Sequence, residues 1–214
     1  MDAPIAEPVA RGLLVELAAS LFARGYSVGS AGNISVRLAD GILITPTNSS
    51  LGRLDPARLS KLDQDFRHVS GDVPSKEVFM HRAFYTARED AGAVVHLHST
   101  MATAVCCLPD LDPINPLPPL TPYFVMRIGK RLPTVPYYRP GNPQMEPAIH
   151  NAARLARGVL LANHGPVVSA PTLIDAVNAA EELEEASKLF LLLRGANARL
   201  LTAAHVDDLL KTFG

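Results

Sequence analysis

The run AVVHLHST, residues 93–100, constrains the fold more than any other segment, because it sets two histidines, His96 and His98, two residues apart in apolar surroundings. In a β-strand alternate side chains share a face, so the two imidazoles would emerge side by side. Burying them together without a common partner would leave polar ring nitrogens unsatisfied. Glu77 lies upstream in PSKEVFMHR and His164 downstream in LLANHGPVV. One carboxylate and three imidazoles can supply the ligand set of a divalent transition metal such as zinc. Taken singly, each histidine reads as an ordinary core or surface residue. The shared strand face sets metal binding beside that reading.

A chain of 214 residues, 48% of them hydrophobic, can bury a substantial core without disulfide staples. A net charge of −1 and the lack of any Lys/Arg cluster argue against a nucleic-acid partner. No apolar run reaches the roughly 20 residues of a membrane helix. The opening MDAPIAEPVARGLL is acidic where a secretory signal is basic, so the expectation is a soluble, cytoplasmic protein. The adjacent Cys106 and Cys107 are poorly placed to bridge each other in a regular helix and read as small buried apolar groups.

Residues 9–26 form an amphipathic helix pattern, with Leu13, Leu14, Leu17 and Leu21 on one face and Gly25 near its C-cap. NISVRL and GILIT are strand-like and split by ADG. Asp55-Pro56 opens a short helix, and a clearer one runs from Lys76 to about Arg88. AGAVVHLH reads as a buried strand followed by a helix begun at Ser99 or Thr100. The proline-dense segment 108–122 cannot be regular helix. It is read as an ordered loop, because the same grammar continues on both sides. PTVPYY and GVLLANHG are further strands, and residues 172–193 a long helix whose EELEE stretch reads as a solvated face. Strands alternating with helices predict an α/β domain, with residues 1–214 as one unit.

Three further segments stand out, each with a plain turn or helix-cap reading of its own. Gly29–Asn33 has small residues that let amides approach an anion. ITPTNSS packs Thr45, Thr47, Asn48, Ser49 and Ser50 behind a strand. Ser75 and Lys76 begin a helix, where free N–H groups favour negative charge. Together they outline a site for a small phosphorylated molecule. Glu77 suits a helix first turn in any case; its functional reading is metal ligand and acid/base group. His81, one turn on, reads as a core or surface residue, and His68, His150 and His205 carry no chemistry.

The motifs SAGNISVRL, ILITPTNSSLG, PSKEVFMHRAFY, AVVHLHST and LLANHGPVV, in this order, resemble the class II aldolase/adducin superfamily. The resemblance implies a single domain built on a central mixed, largely antiparallel sheet flanked by helices. It implies that His96, His98, His164 and Glu77 bind catalytic Zn2+, with Mn2+ or Co2+ as alternatives, and that Glu77 transfers protons. Substrate phosphate would fall to Gly32, Asn33, Thr47, Ser75 and Lys76. Asn48 stands where the superfamily commonly has Gly; Asn tolerates a left-handed backbone, though its side chain would narrow the phosphate pocket.

Within the superfamily, SSLGRLDPARLSKL, PLTPYFVMRIGK and VPYYRPGNPQ most resemble the 3-oxo-tetronate 4-phosphate decarboxylases. That implies loss of CO2 to give dihydroxyacetone phosphate through an enediolate whose charge the metal lowers. Tyr123, Arg127, Tyr138 and Arg139 are then candidates to close the site and hold the departing carboxylate. The nearest alternative is a class II aldolase cleaving a sugar phosphate. An adducin-like interaction module without catalysis fits less well, since all four candidate ligands are present. A homotetramer with active sites between subunits is the implied assembly.

Overall fold

The computed structural model describes residues 5–213. Helix α1 (Glu7–Ala23) starts with a proline in its first turn and buries Ala10, Leu14, Ala18 and Leu21. It stops at Gly25, whose φ of +79° is the left-handed conformation that ends helices, with Tyr26 N–H closing on Leu21 O. Strands β1 (Asn33–Leu38) and β2 (Gly41–Ile44) form a hairpin, and short strands β3 (Ser60–Leu62) and β4 (His68–Ser70) extend it to one edge. Helix α2 (Val78–Ala87) precedes β5 (Ala93–His96), which leads into α3 (Thr100–Cys106). After the proline-rich loop come α4 (Pro122–Ile128), β6 (Thr134–Val135), α5 (Glu146–Ala153), β7 (Gly158–Leu161), β8 (Gly165–Ala170), α6 (Leu173–Leu193) and α7 (Ala203–Phe213).

All eight strands join one sheet in the order β4-β3-β2-β1-β5-β8-β7-β6. Every pairing is antiparallel except β6 with β7. This is the mixed, largely antiparallel sheet expected. The proline-rich loop separates no domains, because β5 before it pairs directly with β8 after it. The loop is ordered: Leu117 is buried, Leu132 N–H donates to Ile114 O and Leu201 N–H to Pro119 O.

A helical layer covers each face of the sheet. Ile34, Val36, Leu38, Ala93 and Val95 pack with α1, α3, α4 and α6, whereas Ile42, Ile44, Val94, Val159 and Val167 pack with α2 and α5. Because side chains alternate along a strand, Asn33, Ser35 and Arg37 of β1 and Val94 and His96 of β5 turn toward α2. The polar members of that set meet the start of α2, and there the candidate site forms.

Several expectations change in detail. Strand β5 ends at His96, so His98 lies just beyond it. Helix α2 begins at Val78, with Glu77 as its N-cap residue. The EELEE stretch is not a solvated face, because α6 packs against α3 and α4. Glu184 is 5% exposed and accepts from the N–H groups of Met101 and Ala102, both at 2.8 Å. Glu181 pairs with Arg24, and Glu182 accepts from the Thr121 hydroxyl. Cys106 is buried as expected, but Cys107 at the end of α3 is exposed; neither is bonded to a partner.

Candidate active site

His96 closes β5 with its ring on the α2 side. Its Nδ1–H donates to the Pro166 carbonyl at 2.9 Å, which leaves Nε2 as the free lone pair. That Nε2 lies 3.0 Å from Nε2 of His98. His164 follows Asn163, whose φ of +54° turns the chain between β7 and β8. The three rings stand edge to face, with centroids 4.8–4.9 Å apart. One nitrogen from each lies within 4.8 Å of the others.

The alternation argument therefore holds across the strand end. Both nitrogens of His164 are buried without a hydrogen-bond partner, an arrangement that protein interiors rarely leave unanswered. Burial pushes all three imidazoles below their ordinary range: His96 well below, His98 to about 4, and His164 down against the opposing pull of Glu77. The imidazoles of His96 and His98 also repel each other's protonation, as do those of His96 and His164. Three neutral imidazoles presenting lone pairs to one point is what a metal site requires.

Glu77 completes the group. Oε2 lies 3.7 Å from His96 Nε2, and Oε1 lies 3.6 Å from His164 Nε2. Tetrahedral zinc, with bonds of about 2 Å, holds its ligand atoms about 3.3 Å apart; the His96–His98, Glu77–His96 and Glu77–His164 contacts, at 3.0, 3.7 and 3.6 Å, bracket that value. The residues fit a zinc-like ion by donor type, spacing and unsatisfied lone pairs.

Two of the three phosphate segments come together. Gly29, Ser30, Thr47 and Asn48 line an open cleft of about 490 Å3, together with Arg53, which the sequence pattern did not single out. Thr47 N–H donates to Val73 O, and Pro46 bridges Pro74, so this loop lies beside Ser75. Ser75 is buried, its Oγ accepting from Glu77 N–H, while Lys76 is exposed. Gly32 has a φ of +79° and sits so close to β5 that a Cβ would come within 2.8 Å of the His96 carbonyl. Asn48 takes the left-handed φ of +56° that its position demands.

The side chain of Asn33 turns inward: its amide N–H donates to Glu77 Oε2 at 2.8 Å and its carbonyl oxygen meets His81 Nε2. His81, read from sequence as a plain core or surface residue, is buried in this network. Tyr138 is half-buried against the α2–α5 core and Arg139 is exposed, on a loop whose Gly141 approaches Lys76. Tyr123, 60% exposed, and Arg127, paired with Asp175 at 2.7 Å, lie on α4, in the layer across the sheet from α2. Within one chain, then, the histidines, Glu77 and the three small-residue loops come together, and the two α4 residues do not join them.

Comparison with known proteins agrees with this architecture. The chain is 51% identical over 198 residues to the 3-oxo-tetronate 4-phosphate decarboxylase of Haemophilus influenzae, covering 92% of this chain and 94% of that protein. It is 34% identical over 167 residues to an L-fuculose phosphate aldolase of Escherichia coli, covering 78% and 75% of the two chains. Among solved structures, YgbL of Klebsiella pneumoniae superposes with a TM-score of 0.92 at 47% identity, over 96% of this chain and 99% of that one. The family model of the Class II Aldolase and Adducin N-terminal domain matches residues 12–191, and the protein is a member of that family.

Proposed function

We propose that this protein is a metal-dependent carboxy-lyase that removes CO2 from 3-oxo-tetronate 4-phosphate and releases dihydroxyacetone phosphate. The observation that carries this reading is Glu77, which stands 3.6–3.7 Å from two of three converging, unprotonated imidazoles. The near full-length similarity to a 3-oxo-tetronate 4-phosphate decarboxylase favours CO2 loss over other lyase chemistry.

His96, His98, His164 and Glu77 would hold the ion, with zinc as first choice and manganese or cobalt as alternatives. When bound, such an ion acts as a Lewis acid that draws off the negative charge developing on substrate oxygen. Gly32, Asn33, Thr47, Asn48, Ser75 and Lys76 are the residues proposed to take the phosphate, Thr47 and Asn48 from the wall of the open cleft, with the amides of these tight loops and the Lys76 ammonium as donors. Anchoring the phosphate fixes the C1 carboxylate relative to Glu77, which converts binding into orientation. The C1–C2 bond breaks, C1 departs as CO2, and its electron pair passes to the C2–C3–O unit. Glu77 takes up one proton from solvent and delivers it to C2, giving the product hydroxymethyl group. Tyr123, Arg127, Tyr138 and Arg139 remain the residues proposed to enclose the carboxylate. Tyr123 and Arg127 would reach it from a neighbouring subunit in a homotetramer. The same reading places the enzyme in the cytoplasm, acting on a small phosphorylated sugar acid, with no nucleic-acid or membrane partner. No helix among the described residues is long and apolar enough to cross a membrane.

Similarity to an L-fuculose phosphate aldolase supports a second reading, retro-aldol cleavage of a sugar phosphate. The test is incubation of zinc-loaded protein with 3-oxo-tetronate 4-phosphate, following CO2 and dihydroxyacetone phosphate together. Both products in equal amount, abolished by His96→Ala, support decarboxylation. No product here, but an aldehyde from a sugar 1-phosphate, overturns it in favour of the aldolase.

A further inference from the structure

Behind Glu77 a row of buried polar groups runs between β1 and α2. Tyr85 Oη lies 2.8 Å from Ser35 Oγ, and Ser35 Oγ lies 2.7 Å from His81 Nδ1. His81 Nε2 is 2.5 Å from Asn33 Oδ1, and Asn33 Nδ2 is 2.8 Å from Glu77 Oε2. His81 is 1% exposed, Ser35 is fully buried, and Tyr85 and Asn33 are buried beside them.

The chemistry of each group orders the whole row. An ionised Glu77 carboxylate only accepts, so Asn33 presents its N–H2 to it and its carbonyl to His81. A carbonyl only accepts, so His81 carries its proton on Nε2 and offers a lone pair at Nδ1. The Ser35 hydroxyl fills that lone pair and in turn accepts from Tyr85. Every donor therefore points toward Glu77, and each link selects the orientation of the next.

We propose that His81 is a positioning residue that acts on Glu77 through Asn33. The inference rests on the reading of Glu77 as the proton donor. An Asn side chain can rotate so that either its oxygen or its nitrogen faces a neighbour. With the oxygen toward Glu77, two acceptors would oppose each other and the carboxylate would lose its anchor. The His81 Nε2–H forbids that rotation. His81 itself takes no metal, because both ring nitrogens are committed within the row, and burial pushes its pKa to about 3, which keeps it neutral. Tyr85 is likewise held protonated, burial raising it above its ordinary value, as a donor to Ser35 requires.

The test compares zinc-loaded wild type with His81→Phe, His81→Gln and Ser35→Ala, acting on 3-oxo-tetronate 4-phosphate. His81→Phe removes the donor at similar size; Gln places an amide N–H near the position of Nε2. The expected result is a kcat about tenfold or more lower for His81→Phe, with KM within about threefold of wild type. Bound zinc stays at the wild-type ratio, and His81→Gln recovers most of the kcat. Ser35→Ala moves kcat the same way by a smaller factor, and serves if His81→Phe does not fold. Wild-type kcat in either variant, or a parallel loss of zinc and KM, overturns the proposal.

If wild type releases no CO2, the functional reading fails, and the positioning role is judged without turnover. The ring N–H of His81 should then appear as a slowly exchanging, downfield proton on Nε2 in 15N-histidine NMR, and shift when Glu77→Gln is introduced. A proton on Nδ1, or one indifferent to Glu77→Gln, overturns the row as a connection to Glu77.

Discussion

Nε2 of His96 faces Nε2 of His98 at 3.0 Å, and the far side of the His96 ring is tied to the Pro166 carbonyl. His96 Nε2 is an acceptor at that distance: it takes an N–H···N hydrogen bond when His98 carries its hydrogen on Nε2, or ligates a cation together with His98. Burial keeps both rings neutral, the state a metal ligand needs. The carbonyl of Pro166, in β8, also fixes the His96 tautomer, so the β5–β8 pairing helps to build the site.

Metal content should follow these ligands. Wild type purified in zinc is expected to hold one ion per chain, and His96→Ala or His164→Ala to fall well below half occupancy, as measured by elemental analysis. Chelation should abolish turnover and leave the far-ultraviolet circular dichroism unchanged, because the apolar layers on both faces of the sheet include none of the four ligands. Added zinc at 100 times its Kd should raise stability by about 2.7 kcal/mol, read as a higher Tm.

Glu184 offers a test away from the reacting atoms. Its buried carboxylate receives two N–H groups from the first turn of α3, three and four residues after His98. Replacing it with Ala leaves both donors without a partner and is expected to cost about 2–4 kcal/mol in urea unfolding. Glu184→Gln, which retains one acceptor, should cost about half of that. Equal stability for Ala and wild type would show that water replaces the cap.

Much of this site was legible in the sequence because its chemistry follows local spacing. His96 and His98 at a strand interval, and turn residues grouped after β2 and before α2, need no knowledge of the fold. The strand ends two residues too early for the simple alternation argument, yet the chain continues far enough past it for His98 to converge. The buried row was not legible in the same way. Asn33 and Ser35 stand 44 or more residues before Glu77 and His81, and only the facing of β1 against α2 joins them. A partial signal was present, since Glu77, His81 and Tyr85 recur every four residues on one helical face.

The missed elements have their own reasons. Strand β3 is three residues long and β4 wholly exposed at the sheet edge, so neither shows a hydrophobic pattern. β8 starts with Gly-Pro, α5 with Glu-Pro, and α7 buries no residue completely.

The buried His81 makes a signed prediction for pH. Its pKa falls from the ordinary 6.5 to about 3 on folding, because burial disfavours the charged ring. Between those values the unfolded chain binds a proton that the folded chain refuses. Stability from this group is therefore complete above pH 6.5 and is lost as pH falls toward 3, by about 1.4 kcal/mol per pH unit at the steepest. Urea unfolding at pH 7.0 and 5.0 should show His81→Gln losing less stability than wild type between the two, whichever is more stable at pH 7. Identical pH slopes would mean that the His81 ring opens to water.

Asn48 tests the phosphate cleft. Its φ of +56° suits Gly and Asn and strains β-branched residues by about 1–2 kcal/mol. Asn48→Gly should keep stability within about 0.5 kcal/mol and lower KM, because the exposed side chain that narrows the cleft is removed. Asn48→Val should pull the loop from its left-handed turn and raise KM by about tenfold, the equivalent of about 1.4 kcal/mol of phosphate binding. In both variants kcat should move little, since Glu77 and the histidines keep their own supports. A substrate analogue lacking the phosphate should be indifferent to either change. If Asn48→Val leaves KM for the phosphorylated substrate unchanged, the phosphate binds elsewhere, and the Thr47–Asn48 loop serves only to connect β2 to β3.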